Sequence, residues 1–151
     1  MFPLLNLPKA ELKIKDQKIW DILRKKYVLL TPEEWVRQHY IHYMTTYLGY
    51  SKNLMKSEYQ VKYNQMAKRC DIVLFNTLLK PTVIVECKAP HIKITADTFY
   101  QIAKYHATLN ADLLILTNGI QHVHALINSK ENKIDFIQEP LTMAQLNDFT
   151  T

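Results

Sequence analysis

The sequence predicts an α/β fold in which helices cover a mixed β-sheet, and three observations carry that expectation. Thr31-Pro32-Glu33-Glu34 is a strong helix start. Three strand-like segments follow one another between about residues 54 and 88. Helical periodicity from Thr95 to about Asn110 then gives way to the continuous apolar run DLLILT, Asp112 to Thr117, typical of a central strand covered on both faces. The order helix, three-strand meander, helix, strand, hairpin describes an α/β sandwich.

Each element has a local cause. Residues 13–30 alternate charged and apolar positions around KIWDILRKKYVLL, compatible with an extended hairpin or with a strand and a turn of helix. Thr31 is the expected N-cap, Pro32 the first helical residue, and Glu34 the partner that completes a capping box. That helix should run from about 32 to 48 and stop at Gly49, with Val36, Tyr40, Tyr43 and Tyr47 as its apolar stripe. Strands are expected at about 54–63 and 70–76 around the turn Asn64-Gln65, and Leu78 to Pro81 leads into the VIVECKA strand. The second helix should bury Phe99, Ile102, Ala103, His106 and Leu109. Asn118-Gly119 ends the DLLILT strand; 121–128 and 133–138 read as a hairpin, and 141–149 as a short terminal helix.

The bulk composition narrows the classes. A chain of 151 residues, 48% hydrophobic, fits one compact domain over residues 1–151. A net charge of +5 favours a polyanionic partner without locating a site. Cys70 and Cys87 form no closely spaced pair, which points to buried, reduced thiols and a cytoplasmic protein. No signal peptide is expected in MFPLLNLPKAELK, and no apolar stretch is long enough to span a bilayer.

The chemistry concentrates in two strands. In VIVECKAP, Val83 to Pro90, alternation places Glu86 and Lys88 on one face and Val83, Val85 and Cys87 on the other. Asp71 opens the preceding strand, so pairing of the two strands lets the carboxylates of Asp71 and Glu86 converge. Two carboxylates, a main-chain carbonyl and waters suit Mg²⁺. Lys88 would point into that site, where it can hold a water or a phosphate oxygen and offset charge developing at phosphorus. The alternative is a surface Glu86–Lys88 pair of small energetic value. By the same alternation each cysteine should face away from the charged side, into packing.

These residues carry a resemblance. Arg69-Cys70-Asp71-Ile72-Val73, Val85-Glu86-Cys87-Lys88, and then Gln101 and Tyr105 resemble the PD-(D/E)xK nuclease superfamily. Within it, LTPEEWVRQHYIHY, RCDIV, VECKAP, DTFYQIAKY and LTNG are similar to the N-terminal nuclease domain of type I restriction enzyme R subunits, along residues 20–125. The resemblance implies a restriction-endonuclease-like fold and a DNA endonuclease that hydrolyses phosphodiesters with Mg²⁺, for which Mn²⁺ can substitute. It implies Asp71 and Glu86 as metal ligands, with the Cys87 main-chain carbonyl as a further one. Lys88 becomes the catalytic lysine, and Gln101 and Tyr105 complete the site from one helical face.

Cys70 stands where the superfamily's name has proline, a position that is not a ligand. The sequence has no G-x-x-x-x-G-K-[ST] motif for a motor, so the expectation is a free-standing domain of this kind. Two other readings stay open: a nucleic-acid-binding or partner-docking module without cleavage, and a junction or repair nuclease whose homodimer would present two active sites. A targeting partner is a further possibility.

Other candidates are weaker. Glu34 can be an accessory acid, with the capping role preferred; Glu58 can be another, with a solvent-facing strand residue preferred. Lys62, Lys68 and Arg69, with Lys13-Lys15-Lys18 and Arg24-Lys25-Lys26, can line a phosphate-tracking surface or simply be solvated. His122 with His124, and His39 with His42, lack a third close ligand for a metal.

Overall fold

The structure, a computed structural model, describes residues 2–150. Three short antiparallel strands, β1 (Ile14–Lys15), β2 (Lys18–Asp21) and β3 (Lys26–Leu29), form a small sheet. They settle the ambiguity of residues 13–30 in favour of extended structure. Asp16 and Gln17 adopt positive φ in the first turn, and the rings of Trp20 and Tyr27 meet across β2 and β3 at 5.1 Å.

Helix α1 (Pro32–Thr46) follows, then β4 (Met55–Tyr63), β5 (Met66–Phe75), β6 (Pro81–Cys87), α2 (Ala96–His106), β7 (Leu113–Thr117), β8 (His122–Asn128), β9 (Lys133–Ile137) and α3 (Met143–Thr150). The strands β4 to β9 make one six-stranded sheet in sequence order. Among the described strands of this sheet only β6 and β7 run parallel, joined by the crossover through α2; the other neighbours are antiparallel. This is the mixed sheet that the sequence predicts.

Two apolar layers sandwich the sheet. On one face Val36, Tyr40, Ile41 and Met44 of α1 pack with Ile72, Val83, Val85, Cys87, Leu113 and Ile115. On the other, Phe99 and Ile102 of α2 pack with Val73, Ile84, Leu114 and Leu116. Every side chain of β7 is buried, as a strand covered on both faces requires.

Several expected boundaries shift. Helix α1 ends at Thr46 rather than 48, and Tyr47 is exposed rather than part of the buried stripe. The exit is closed by the Tyr50 N–H donating to the Met44 carbonyl at 3.1 Å across Gly49, whose φ of +80° suits glycine. Strand β5 begins four residues before the predicted start. Lys68 and Arg69 carry no apolar signal, yet the hairpin holds them through backbone pairing, Gln60 with Arg69 and Val61 with Lys68. No described helix is long and apolar enough to cross a membrane.

Candidate metal and nuclease site

The site grows from an interruption in the sheet. Strands β5 and β6 pair from Leu74–Val83 through Ile72–Val85 and then part, so Asp71 and Glu86 have no ladder rung between them. The Cys87 N–H, released from that ladder, donates to Oδ2 of Asp71 at 2.7 Å. On the other side of β5 the rung opposite Asp71 is also missing: Glu58 adopts φ +55° between the pairs Ser57–Ile72 and Tyr59–Cys70.

Across this double break the side-chain alternation changes face. Ile72 packs toward α1, whereas Cys70 packs toward α2. Strict alternation predicted that Cys70 would turn away from the acids, and the structure corrects that expectation. Its Sγ lies 3.2 Å from Nδ1 of His106, and Nε2 of the same ring lies 2.7 Å from Oε1 of Glu86. Cys87 faces the α1 layer as expected. Burial pushes both thiols up, away from thiolate.

Helix α1 brings charge to the same place. Thr31 Oγ1 accepts the Glu34 N–H at 3.0 Å, so the N-cap forms. Glu34 does not close a capping box. Its carboxylate is buried and engages Arg24 at 3.0 Å, Gln38 at 2.9 Å and Arg37 at 3.5 Å. Arg24 also pairs with the fully buried Asp21. Arg37 is the hub: it reaches Glu58 at 2.9 Å and Asp71 at 3.6 Å. Burial works against its charge, and Glu34, Asp71 and Glu58 more than offset that cost. Glu58 is therefore not a solvent-facing strand residue; it is half-buried and tied to Arg37 and, at 3.6 Å, to Arg69.

The electrostatics mark a place short of cations. Burial, then the neighbouring Glu86, pushes the Asp71 carboxyl up to about 8, against the pull of Arg37 and the Cys87 N–H. Burial likewise pushes Glu86 up to about 7, opposed by Asp71 and Lys88. Partial burial and then Asp71 also raise Glu33 in the first turn of α1, while Arg37 and Lys88 pull it down. Two hard carboxylates that retain a proton near neutrality, beside a half-buried lysine, form a donor set that fits Mg²⁺ or Mn²⁺.

Lys88 lies just past β6, its N–H bonded to the Thr117 carbonyl at 2.8 Å. The following loop is braced by Asn118, whose amide donates to the Ile92 carbonyl at 2.9 Å. Tyr105 is half-buried near the acids: burial raises its phenol, as do Glu86 and Asp71. Lys68 sits 6.0 Å over the Tyr105 ring. Gln101 is exposed, and among the described residues it makes no hydrogen bond to the acids. Lys62 is exposed farther along β4. One histidine of each pair is engaged by protein groups: His39 Nδ1 with the Trp35 carbonyl at 2.8 Å, and His122 with Thr117 Oγ1 at 2.7 Å and the Asn6 carbonyl at 3.0 Å.

Arg37, His106 and Glu33 are the members that sequence reasoning missed. Arg37 carried one signal, being the sole Lys or Arg in α1 and three residues from Glu34. A groove of about 710 Å³ at the opposite end of the sheet, lined by residues such as Tyr50, Phe75, Asp112 and Phe149, touches none of these acids.

A mixed sheet between helices, with Asp71 and the Glu86-x-Lys88 strand end meeting at a break in the pairing, defines a nuclease-like domain of the PD-(D/E)xK type. The family model described as type I restriction enzyme R protein N terminus (HSDR_N) matches residues 32–140. The chain belongs to this family. Its fold is similar to the fragment structure of a putative HsdR subunit of a type I restriction enzyme from Vibrio vulnificus YJ016, with a TM-score of 0.58 and 16% identity. That match covers 79% of this chain and 25% of the other, so this chain spans only a quarter of that relative's length. No curated protein matches the sequence.

Proposed function

We propose that this chain is a Mg²⁺-dependent endonuclease domain that hydrolyses phosphodiester bonds in DNA. The observation that carries the reading is the meeting of Asp71 and Glu86 at the unpaired ends of β5 and β6, with Lys88 two residues beyond Glu86. Asp71, Glu86 and the Cys87 carbonyl would hold the ion. When bound, it would supply Lewis-acid stabilisation of the charge that develops on the phosphate.

The chain's own groups do the rest. The Cys87 N–H fixes Asp71 by its Oδ2, and Arg37 stays beside Oδ1 as a permanent cation. Lys88 holds a phosphate oxygen or orients the attacking water. Water attacks in line, its oxygen bonds to phosphorus as it gives a proton up to solvent, the bond to the 3′ oxygen breaks, and that oxygen leaves taking a proton from solvent. Tyr105 borders the site, and Lys68 and Arg69 immediately precede Cys70-Asp71, where they would track the backbone phosphates. Gln101, exposed on α2, would contact the nucleic acid rather than the ion.

The test is cleavage of supercoiled plasmid and branched DNA with Mg²⁺ or Mn²⁺ by the native chain, Glu86→Ala and Lys88→Ala. Cleavage by the native chain that both variants lose is the expected result. Binding without cleavage, unchanged in the variants, would replace this reading with a nucleic-acid-binding module.

A further inference from the structure

His106 lies on the inner face of α2 with both ring nitrogens engaged: Nε2 is 2.7 Å from Oε1 of Glu86, and Nδ1 is 3.2 Å from Sγ of Cys70. All three residues are buried, and the proposed hydrolysis makes no use of the ring. A thiol, an imidazole and a carboxylate whose donor atoms lie within 4.8 Å of one another suggest two roles.

The first role is a metal site of their own. A tetrahedral ion needs one ring nitrogen to converge with the sulfur and the oxygen on a common point, at about 2.0–2.3 Å from each. Here the sulfur contacts Nδ1 and the carboxylate oxygen contacts Nε2, two different ring nitrogens. Neither ring nitrogen sits against both the sulfur and the oxygen.

Two contacts through two nitrogens suit a hydrogen-bonded chain. A carboxylate holding a cation is ionised and can only accept, so the proton on the Glu86 contact must belong to Nε2. Nδ1 is then an acceptor, and the Cys70 S–H is the donor that faces it.

We propose that His106 is a positioning residue for Glu86: it fixes Oε1 so that the other carboxylate oxygen is presented to the metal, while Cys70 sets the ring's tautomer. This role rests on the reading of Asp71 and Glu86 as metal ligands. It reverses the familiar arrangement in which a carboxylate orients a metal-binding histidine. A neutral donor has a specific advantage here. It restrains a long side chain without spending the negative charge that the cation requires, which a guanidinium at the same distance would neutralise.

Mn²⁺ affinity, measured by titration calorimetry on the full chain, tests the role in the native protein, His106→Leu, His106→Gln and Glu86→Ala, with circular dichroism confirming the fold. His106→Leu retains bulk but has no donor, and a loss of about 10–100-fold is expected. His106→Gln places an amide N–H where Nε2 was and should recover most of that loss, which a packing role alone would not require. In the native protein saturated with diamagnetic Mg²⁺, long-range ¹H–¹⁵N spectra should show the Nε2–H tautomer of His106, and Cys70→Val should disturb it.

Native affinity in His106→Leu, with affinity lost in Glu86→Ala, would overturn the positioning role and leave the metal site standing. An Nδ1–H tautomer in the Mg²⁺-saturated native protein would also overturn it, whether or not the variants fold. Native protein without Mn²⁺ affinity, or with affinity untouched by Glu86→Ala, would overturn the metal-site reading and this role with it.

Discussion

Asp71 and Glu86 meet at one end of the sheet but are held from opposite faces and by different means. Asp71 belongs to the α1 side, where Arg37 brings a full charge within 3.6 Å and also serves Glu34 and Glu58. Glu86 belongs to the α2 side, where its partner is a neutral imidazole at 2.7 Å. The α1 side is a charge network, in which each member is costly to remove once the others are buried. The α2 side is a neutral restraint whose loss changes geometry more than charge. Substitutions on the α1 side should therefore appear first as stability, and those on the α2 side first as metal affinity.

The sharpest break of the contrast is Arg37→Met. It leaves Glu34 and Asp71 buried without their shared cation and should cost about 3–5 kcal/mol in urea unfolding at pH 8. Adding Asp71→Asn should recover part of that loss, and strict additivity of the two changes would refute their coupling.

Next comes Glu86→Gln in metal-free protein. Asp71 and Glu86 are raised to about 8 and about 7 from 3.8 and 4.5, so the folded chain keeps protons that the unfolded chain has released. The stability they contribute is complete below about pH 4 and is lost as pH rises through their folded values. His106 has the opposite sign: lowered to about 4, it contributes stability above 6.5 that is lost as pH falls. Between about pH 6.5 and 8.5 the carboxyls therefore act alone of the three. The native melting temperature in EDTA should fall across that window, and Glu86→Gln should flatten the fall while abolishing cleavage. An equally steep profile in the variant would show that Glu86 does not carry the effect.

A smaller change tests whether local sequence or the network sets the start of α1. Thr31→Ala removes the cap that accepts the Glu34 N–H and should cost about 1 kcal/mol in the same unfolding measurement. The smallest stability effect belongs to Arg69→Ala, since its pair with Glu58 is 3.6 Å long and its side chain is 64% exposed. Less than about 0.5 kcal/mol is expected. If Arg69 tracks phosphates, the slope of log affinity for DNA against log salt should fall by about 1.

What the sequence revealed divides along the same line. Thr31-Pro32, the DLLILT strand, the two helices and the later hairpin are coded by neighbours in the chain, and they lie close to where those signals put them. Asp71, Glu86 and Lys88 were legible because acids and a lysine in otherwise apolar strands are costly and therefore conspicuous. Arg37 was not, because what makes it a hub is tertiary: Glu58 and Asp71 come from strands 21 and 34 residues later. His106 was expected to be buried, and it is, but helical periodicity names a face and not the carboxylate waiting there. Cys70 was misdirected because alternation assumes an unbroken pleat, and Glu58 at φ +55° with Asp71 opposite interrupts it.

The parting of β5 and β6 after Ile72 and Val85 separates folding from chemistry. Were the seam zipped one rung further, the Cys87 N–H would be drawn toward a neighbouring strand carbonyl and Asp71 would lose its tether, with every charged residue still present. An intact motif would then lie silent in a sound fold. An apolar substitution that lets the two strands close would leave the acids in place as a legible but idle inscription.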